Sequence, residues 1–112
     1  IDEKSTDILS YAARASLELG ADMIKIKYNN DLEGFKWLVK CAGKSRVIVA
    51  GGEKTTPEIL LQNAYDVIKA GATGIAIGRN VWQSEKPLEI VQALKEIIFE
   101  NKTPEKAIKL IK

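Results

Sequence analysis

Two stretches of this chain echo each other. Gly20-Ala21-Asp22-Met23-Ile24-Lys25-Ile26-Lys27 lines up with Gly71-Ala72-Thr73-Gly74-Ile75-Ala76-Ile77-Gly78, both of the form Gly-Ala-x-x-Ile-x-Ile-x. Side chains alternate across a strand, so Ile24 and Ile26 share one face with Ile75 and Ile77. Lys25 and Lys27 then share the opposite face with Ala76 and Gly78. The isoleucine face is predicted to meet a layer of helices. An open doubly wound sheet would cover the other face with helices too, and two buried lysines there would be costly. Inside a barrel the same face lines an interior, and small neighbouring residues leave room for a ligand. The pattern therefore favours a barrel.

The segments between the strands agree. Residues 5–19 read as a helix, with Ile8, Ala12, Ala15 and Leu19 at helical spacing and Gly20 as its stop. Met23–Tyr28 reads as a strand. Asp31 caps a second helix carrying Phe35, Leu38, Val39 and Ala42, which Gly43 ends. Arg46–Ala50 is a short apolar strand. Thr55 and Glu58 form a capping box ahead of a third helix carrying Leu60, Leu61, Ala64, Val67 and Ile68 to Gly71. Gly74–Ile77 is a third strand, followed by a short helical turn after Gly78. A longer helix opens near Pro87, and a last one at Thr103-Pro104-Glu105. Strands alternating with helices imply a parallel sheet. The predicted class is α/β, with residues 1–112 forming a single domain.

Composition excludes several classes. A chain of 112 residues supports one small domain. Net charge is +2 with mixed signs, and no apolar run is long enough to span a membrane, so neither nucleic acid nor membrane is expected as a partner. The single cysteine, Cys41, excludes an intrachain disulfide and reads as a small packed residue. With no histidine, Ser-His and Cys-His catalysis and His-based zinc sites are absent from the chain. The first residue is Ile1, and the sequence is read as beginning inside a longer protein.

An inward lysine on a strand has two readings. One is an ion pair or an ammonium that snorkels to the barrel mouth. The other is an amine that attacks a carbonyl to form a Schiff base. Burial and a like charge two residues away both favour the neutral, nucleophilic form. Local spacing does not say whether Lys25 or Lys27 is the nucleophile. Two glycine-rich strand exits follow, Val49-Ala50-Gly51-Gly52-Glu53-Lys54 and Ile77-Gly78-Arg79-Asn80. Glycine lets backbone N–H groups approach an anion, and phosphate in (β/α)8 barrels often sits in loops of this kind. Arg79 adds a cation suited to phosphate. Plain strand-exit turns are the alternative reading.

The stretches GADMIKIKY, VIVAGGEKT and AGATGIAIGRNVWQ together resemble the C-terminal part of the archaeal-type class I fructose-bisphosphate aldolases. They also resemble the related aminodideoxyheptulosonate synthases and the thiolase acting on phosphorylated autoinducer-2. The resemblance implies the last three βα units of a (β/α)8 TIM barrel. It selects Lys25 as the Schiff-base lysine, with Lys27 as a modulator at most. It assigns Gly51, Gly52, Gly78 and Arg79 to substrate phosphate, with Lys54 as a further modulator. Ala50 stands where some relatives carry serine, which removes one hydroxyl contact. The implied reaction is cleavage or formation of a carbon–carbon bond in a phosphorylated ketose. No cofactor and no metal are expected, because the iminium serves as electron sink. A cytoplasmic homo-oligomer is implied. The acid/base tyrosine and aspartate of the family belong to earlier strands, and Tyr11, Tyr28 and Tyr65 are not assigned that role. Alternatives are a Schiff-base transferase of the same family, a phosphate-binding barrel isomerase, and a non-catalytic half-barrel.

Overall fold

The computed structural model describes residues 1–112. Three parallel strands, β1 (Met23–Lys27), β2 (Arg46–Ala50) and β3 (Gly74–Ala76), form one sheet in the order β1-β2-β3. Helix α1 (Thr6–Glu18) precedes β1, α2 (Leu32–Cys41) joins β1 to β2, and α3 (Pro57–Lys69) joins β2 to β3. A single turn, α4 (Arg79–Trp82), follows the third strand. Then come α5 (Pro87–Glu100) and α6 (Pro104–Ala107), the latter running into a 3₁₀ turn at Ile108–Leu110.

Local chemistry explains the boundaries. Ser5, Asp31, Thr56 and Thr103 each accept a backbone N–H at a helix start, satisfying donors that have no partner within the helix. The cap of α3 is Thr56 rather than the Thr55 of the predicted capping box; Thr55 bonds elsewhere, as described below. Gly20 and Gly71 close α1 and α3 with φ of +92° and +114°, a region that penalises a Cβ.

Register places the faces as the alternation requires. Ile24 pairs with Val47, and Ile26 with Val49 and then Ile75. Ile24, Ile26, Val47 and Val49 are buried in one cluster with Leu9, Ala13, Phe35, Leu38, Ala42 and Val67. A second cluster lies under α3, α5 and α6, built from Leu60, Leu61, Ala64, Ile90, Leu94, Ile97 and Ala107. Ile75 packs against both clusters, so β3 and α3 join them. The terminal segment thus covers α3 and α5.

The face of α1 differs from the one its spacing predicts. Leu9, Ser10 and Ala13 are buried, whereas Ile8, Ala12 and Leu19 are exposed. Both sets satisfy helical periodicity. Packing against α2 and β1 selects the set with Leu9 and Ala13. Strand β3 also stops at Ala76, one residue short of the predicted end, because Ile77 turns into the exit loop.

Candidate functional site

The face of the sheet away from the core carries two rows. Lys25 aligns with Ile48 and Gly74, and Lys27 with Ala50 and Ala76. Both lysines are exposed and neither makes a hydrogen bond or an ion pair. In these three strands alone the face is open to solvent, so the burial expected of a barrel interior is not present around either lysine. Gly74, Ala50 and Ala76 leave the space beside them clear.

The C-terminal ends of the strands border a cavity of about 610 Å³. Lys27, Gly51, Gly52, Arg79 and Asn80 line it, with Tyr28, Asn29 and Lys4 on the α1 side. Lys25, Lys54 and Gly78 are not among the lining residues. Lys27 and Arg79 are unpaired cations here, and Glu53 is the one carboxylate in the lining. The cavity therefore has a cationic bias suited to an anion.

The two glycines of the first exit loop do different things. The Gly51 N–H donates to Ala76 O at 2.8 Å, extending the ladder between β2 and β3. Its donor is thus already engaged, and the direct anion contact expected of it at the sequence level is not available. Gly52 is exposed and has no atom within 4 Å of where a Cβ would stand. Its backbone is open to an approaching ligand. Gly78 is covered by the indole of Trp82, which sits where a Gly78 Cβ would point. The Gly78 carbonyl accepts from Val81 N and Trp82 N, starting α4. Lys54 turns away from the cavity: its ammonium donates to Gln83 O at 2.5 Å, at the C-terminal end of α4.

Asn80 escaped the sequence reading. It is 7% exposed, although it carries a polar side chain next to an exposed arginine. Its Oδ1 accepts from Thr55 N at 2.8 Å, and its Nδ2 donates to Glu53 O at 3.3 Å. Only its place immediately after Arg79 in the glycine-rich exit marks it in the sequence.

Tyr28 lies at the rim with its ring edge-on to Phe35, 5.5 Å between centroids. Burial, followed by the charges of Asp66 and Asp31, pushes its hydroxyl above the usual tyrosine range. It is on the isoleucine side of β1, packed against the core, and not beside Lys25. No three His, Cys, Asp or Glu side chains gather at a spacing that would hold a metal ion. No helix is long and apolar enough to cross a membrane.

Comparison with known proteins identifies the family. Residues 1–84 match the profile of the DeoC/LacD family aldolases. The chain belongs to that family. It is 48% identical over 103 residues to the class 1 fructose-bisphosphate aldolase of Thermoproteus tenax, covering 91% of this chain and 39% of that protein. A solved structure of the Schiff base forming fructose-1,6-bisphosphate aldolase, with its reaction intermediates, is 49% identical with a TM-score of 0.84. That match covers 88% of this chain and 40% of the other. A third relative, an archaeal fructose-1,6-bisphosphate aldolase with its catalytic lysine bound to the carbinolamine intermediate, is 48% identical with a TM-score of 0.83. It covers 88% of this chain and 39% of the other. The chain therefore spans about two fifths of the length of these relatives. The fold is that of βα units from an archaeal aldolase barrel.

Proposed function

We propose that this chain supplies the imine-forming lysine and one phosphate-binding wall of a class I aldolase acting on a phosphorylated ketose such as fructose bisphosphate. The observation that carries the reading is the placement of Lys25. It stands free on the face opposite the helices, beside Ile48 and Gly74, one strand step below a cationic cavity. Relatives described as Schiff-base aldolases support assigning it the chemistry.

In this reading the neutral amine of Lys25 adds to the ketone carbon. The carbonyl oxygen leaves as water, and one proton is taken up to give the iminium. The electron pair of the bond between the carbons α and β to the iminium then forms the double bond of an enamine, the iminium π pair moves to nitrogen, and the β carbon departs as an aldehyde. The proton of the hydroxyl on that β carbon passes to a general base. Arg79, Lys27 and the open backbone of Gly52 hold the phosphate. Lys27 contributes charge and not the covalent bond. Gly51 and Gly78 act by shaping the loops, and Lys54 by tying one to the other. The reading extends to a cytoplasmic protein that associates with further copies.

The test is borohydride trapping with dihydroxyacetone phosphate, read by intact mass and peptide mapping, on the wild type and Lys25→Met. The expected result is one adduct on Lys25, lost in the variant. An adduct on Lys27 would reassign the nucleophile. No adduct would overturn imine chemistry for this chain.

A further inference from the structure

The two strand-exit loops that border the cavity come from distant parts of the sequence, and one buried side chain joins them. Asn80 sits at the start of α4, next to Arg79. All its side-chain hydrogen bonds go to the other loop: Oδ1 accepts from Thr55 N at 2.8 Å and from Thr55 Oγ1 at 3.4 Å, and Nδ2 donates to Glu53 O at 3.3 Å. Gly52 is the residue immediately before this gripped pair, and its own backbone makes no hydrogen bond to the rest of the backbone. An exposed glycine of that kind has many backbone states to lose on binding a ligand.

We infer that Asn80 is the positioning residue of the anion site: by gripping Glu53 and Thr55 it holds the Gly52 backbone facing the cavity that Arg79 and Lys27 also face. The inference rests on the phosphate reading given above.

The side chain's chemistry fits the task. The grip needs one acceptor and one donor on the same planar group, which an amide provides and an ionised carboxylate does not. Burial makes the bonds costly to leave unmade, so the loop has one strongly preferred arrangement. Lys54 makes a second tie, to Gln83 O, but from an exposed position where water competes. Asn80 does not touch the anion in this scheme. It lowers the ordering that the anion would otherwise have to bring about.

The experiment is a titration of the chain with inorganic phosphate, followed by ¹H–¹⁵N spectra, for the wild type, Asn80→Ala and Asn80→Asp. Amide exchange at Thr55 is measured alongside. In the wild type the Gly52 and Arg79 amides are expected to shift. In Asn80→Ala the strand amides stay in place, Thr55 exchange accelerates, and phosphate affinity falls at least about tenfold. Unchanged affinity in a folded Asn80→Ala would overturn the positioning role while leaving the phosphate reading intact. Absence of any wild-type shift at Gly52 and Arg79 would overturn the phosphate reading, and the role of Asn80 with it.

If Asn80→Ala does not fold, Asn80→Asp decides. It keeps the acceptor for Thr55 but loses the donor to Glu53 O and adds a charge. Salt screens a buried charge poorly, so Gly52 itself is read by ¹⁵N relaxation. A loss of affinity accompanied by greater mobility of the Gly52 amide than in wild type supports positioning. A loss with Gly52 as ordered as in wild type is repulsion by the new charge and overturns it.

Discussion

Gly51 and Ile77 meet with no room for a methyl group. A Cβ on Gly51 would lie 2.8 Å from Ile77 Cγ2 and 3.0 Å from Ile77 Cα. The second of these is backbone, which cannot swing aside. The neighbouring glycine is the opposite case, because a Cβ on Gly52 meets nothing. Gly51→Ala is therefore expected to destabilise the chain by about 1–3 kcal/mol. Gly52→Ala is expected to leave stability nearly unchanged. Urea midpoints of the two variants, measured side by side, check the contrast.

A second steric pair behaves differently. The atoms that crowd Gly78 belong to the Trp82 indole, and Trp82 is 71% exposed. A methyl group at residue 78 can displace the ring into solvent. Gly78→Ala is expected to shift the tryptophan emission while costing less stability than Gly51→Ala. Fluorescence with Trp37→Phe as background isolates the Trp82 signal.

The second core cluster depends on Leu61, which is fully buried among residues of α3, α5 and α6. Leu61→Ala removes its methyl groups and leaves a cavity between helices. The expected loss is about 2–5 kcal/mol, a large fraction of the stability of a small domain. Denaturant unfolding followed by circular dichroism measures it.

Asp31 makes stability depend on pH. Its carboxylate accepts from Thr6 Oγ1 at 2.7 Å and from Gly34 N at 3.0 Å, and these two bonds hold its pKa below the usual aspartate range. The folded pKa lies below the unfolded one. The stabilisation is therefore complete above the unfolded value of about 3.9 and is lost as pH falls through the folded value. Thr6→Val removes the larger cause. It is expected to raise the Asp31 titration midpoint toward the unfolded value and to narrow that acid-side loss. An NMR titration of the Asp31 carboxyl follows the first effect, and urea midpoints below pH 4 follow the second.

Much of the architecture was legible because it depends on local period. Alternation in β1 put Lys25 and Lys27 opposite Ile24 and Ile26, and the register with β2 and β3 keeps that division. Helical spacing identified Phe35, Leu38, Val39 and the capping Ala42 of α2, and Leu60, Leu61, Ala64, Val67 and Ile68 of α3; all are buried except Val39 and Ile68, which are half-buried against the core. The face of α1 was not legible. Ile8–Ala12–Ala15–Leu19 and Leu9–Ala13 are both regular, and periodicity contains no information about which one a neighbour will cover. The spacing of Thr55 to Glu58 predicts a cap, but the cap is Thr56. Thr55 is instead held by Asn80, a residue on another strand exit.

The order of strands and helices, the lysine-bearing face and the glycine-rich exits were determined by sequence alone. Each follows from side-chain alternation, helix periodicity or the backbone freedom of glycine, which act over a few residues. Tertiary structure decided what those parts do for one another. It committed the Gly51 N–H to Ala76, turned Lys54 away to Gln83, laid Trp82 over Gly78 and made Asn80 the join between two loops. Such contacts depend on which groups meet after the strands pair and the helices pack, and no local pattern encodes that meeting.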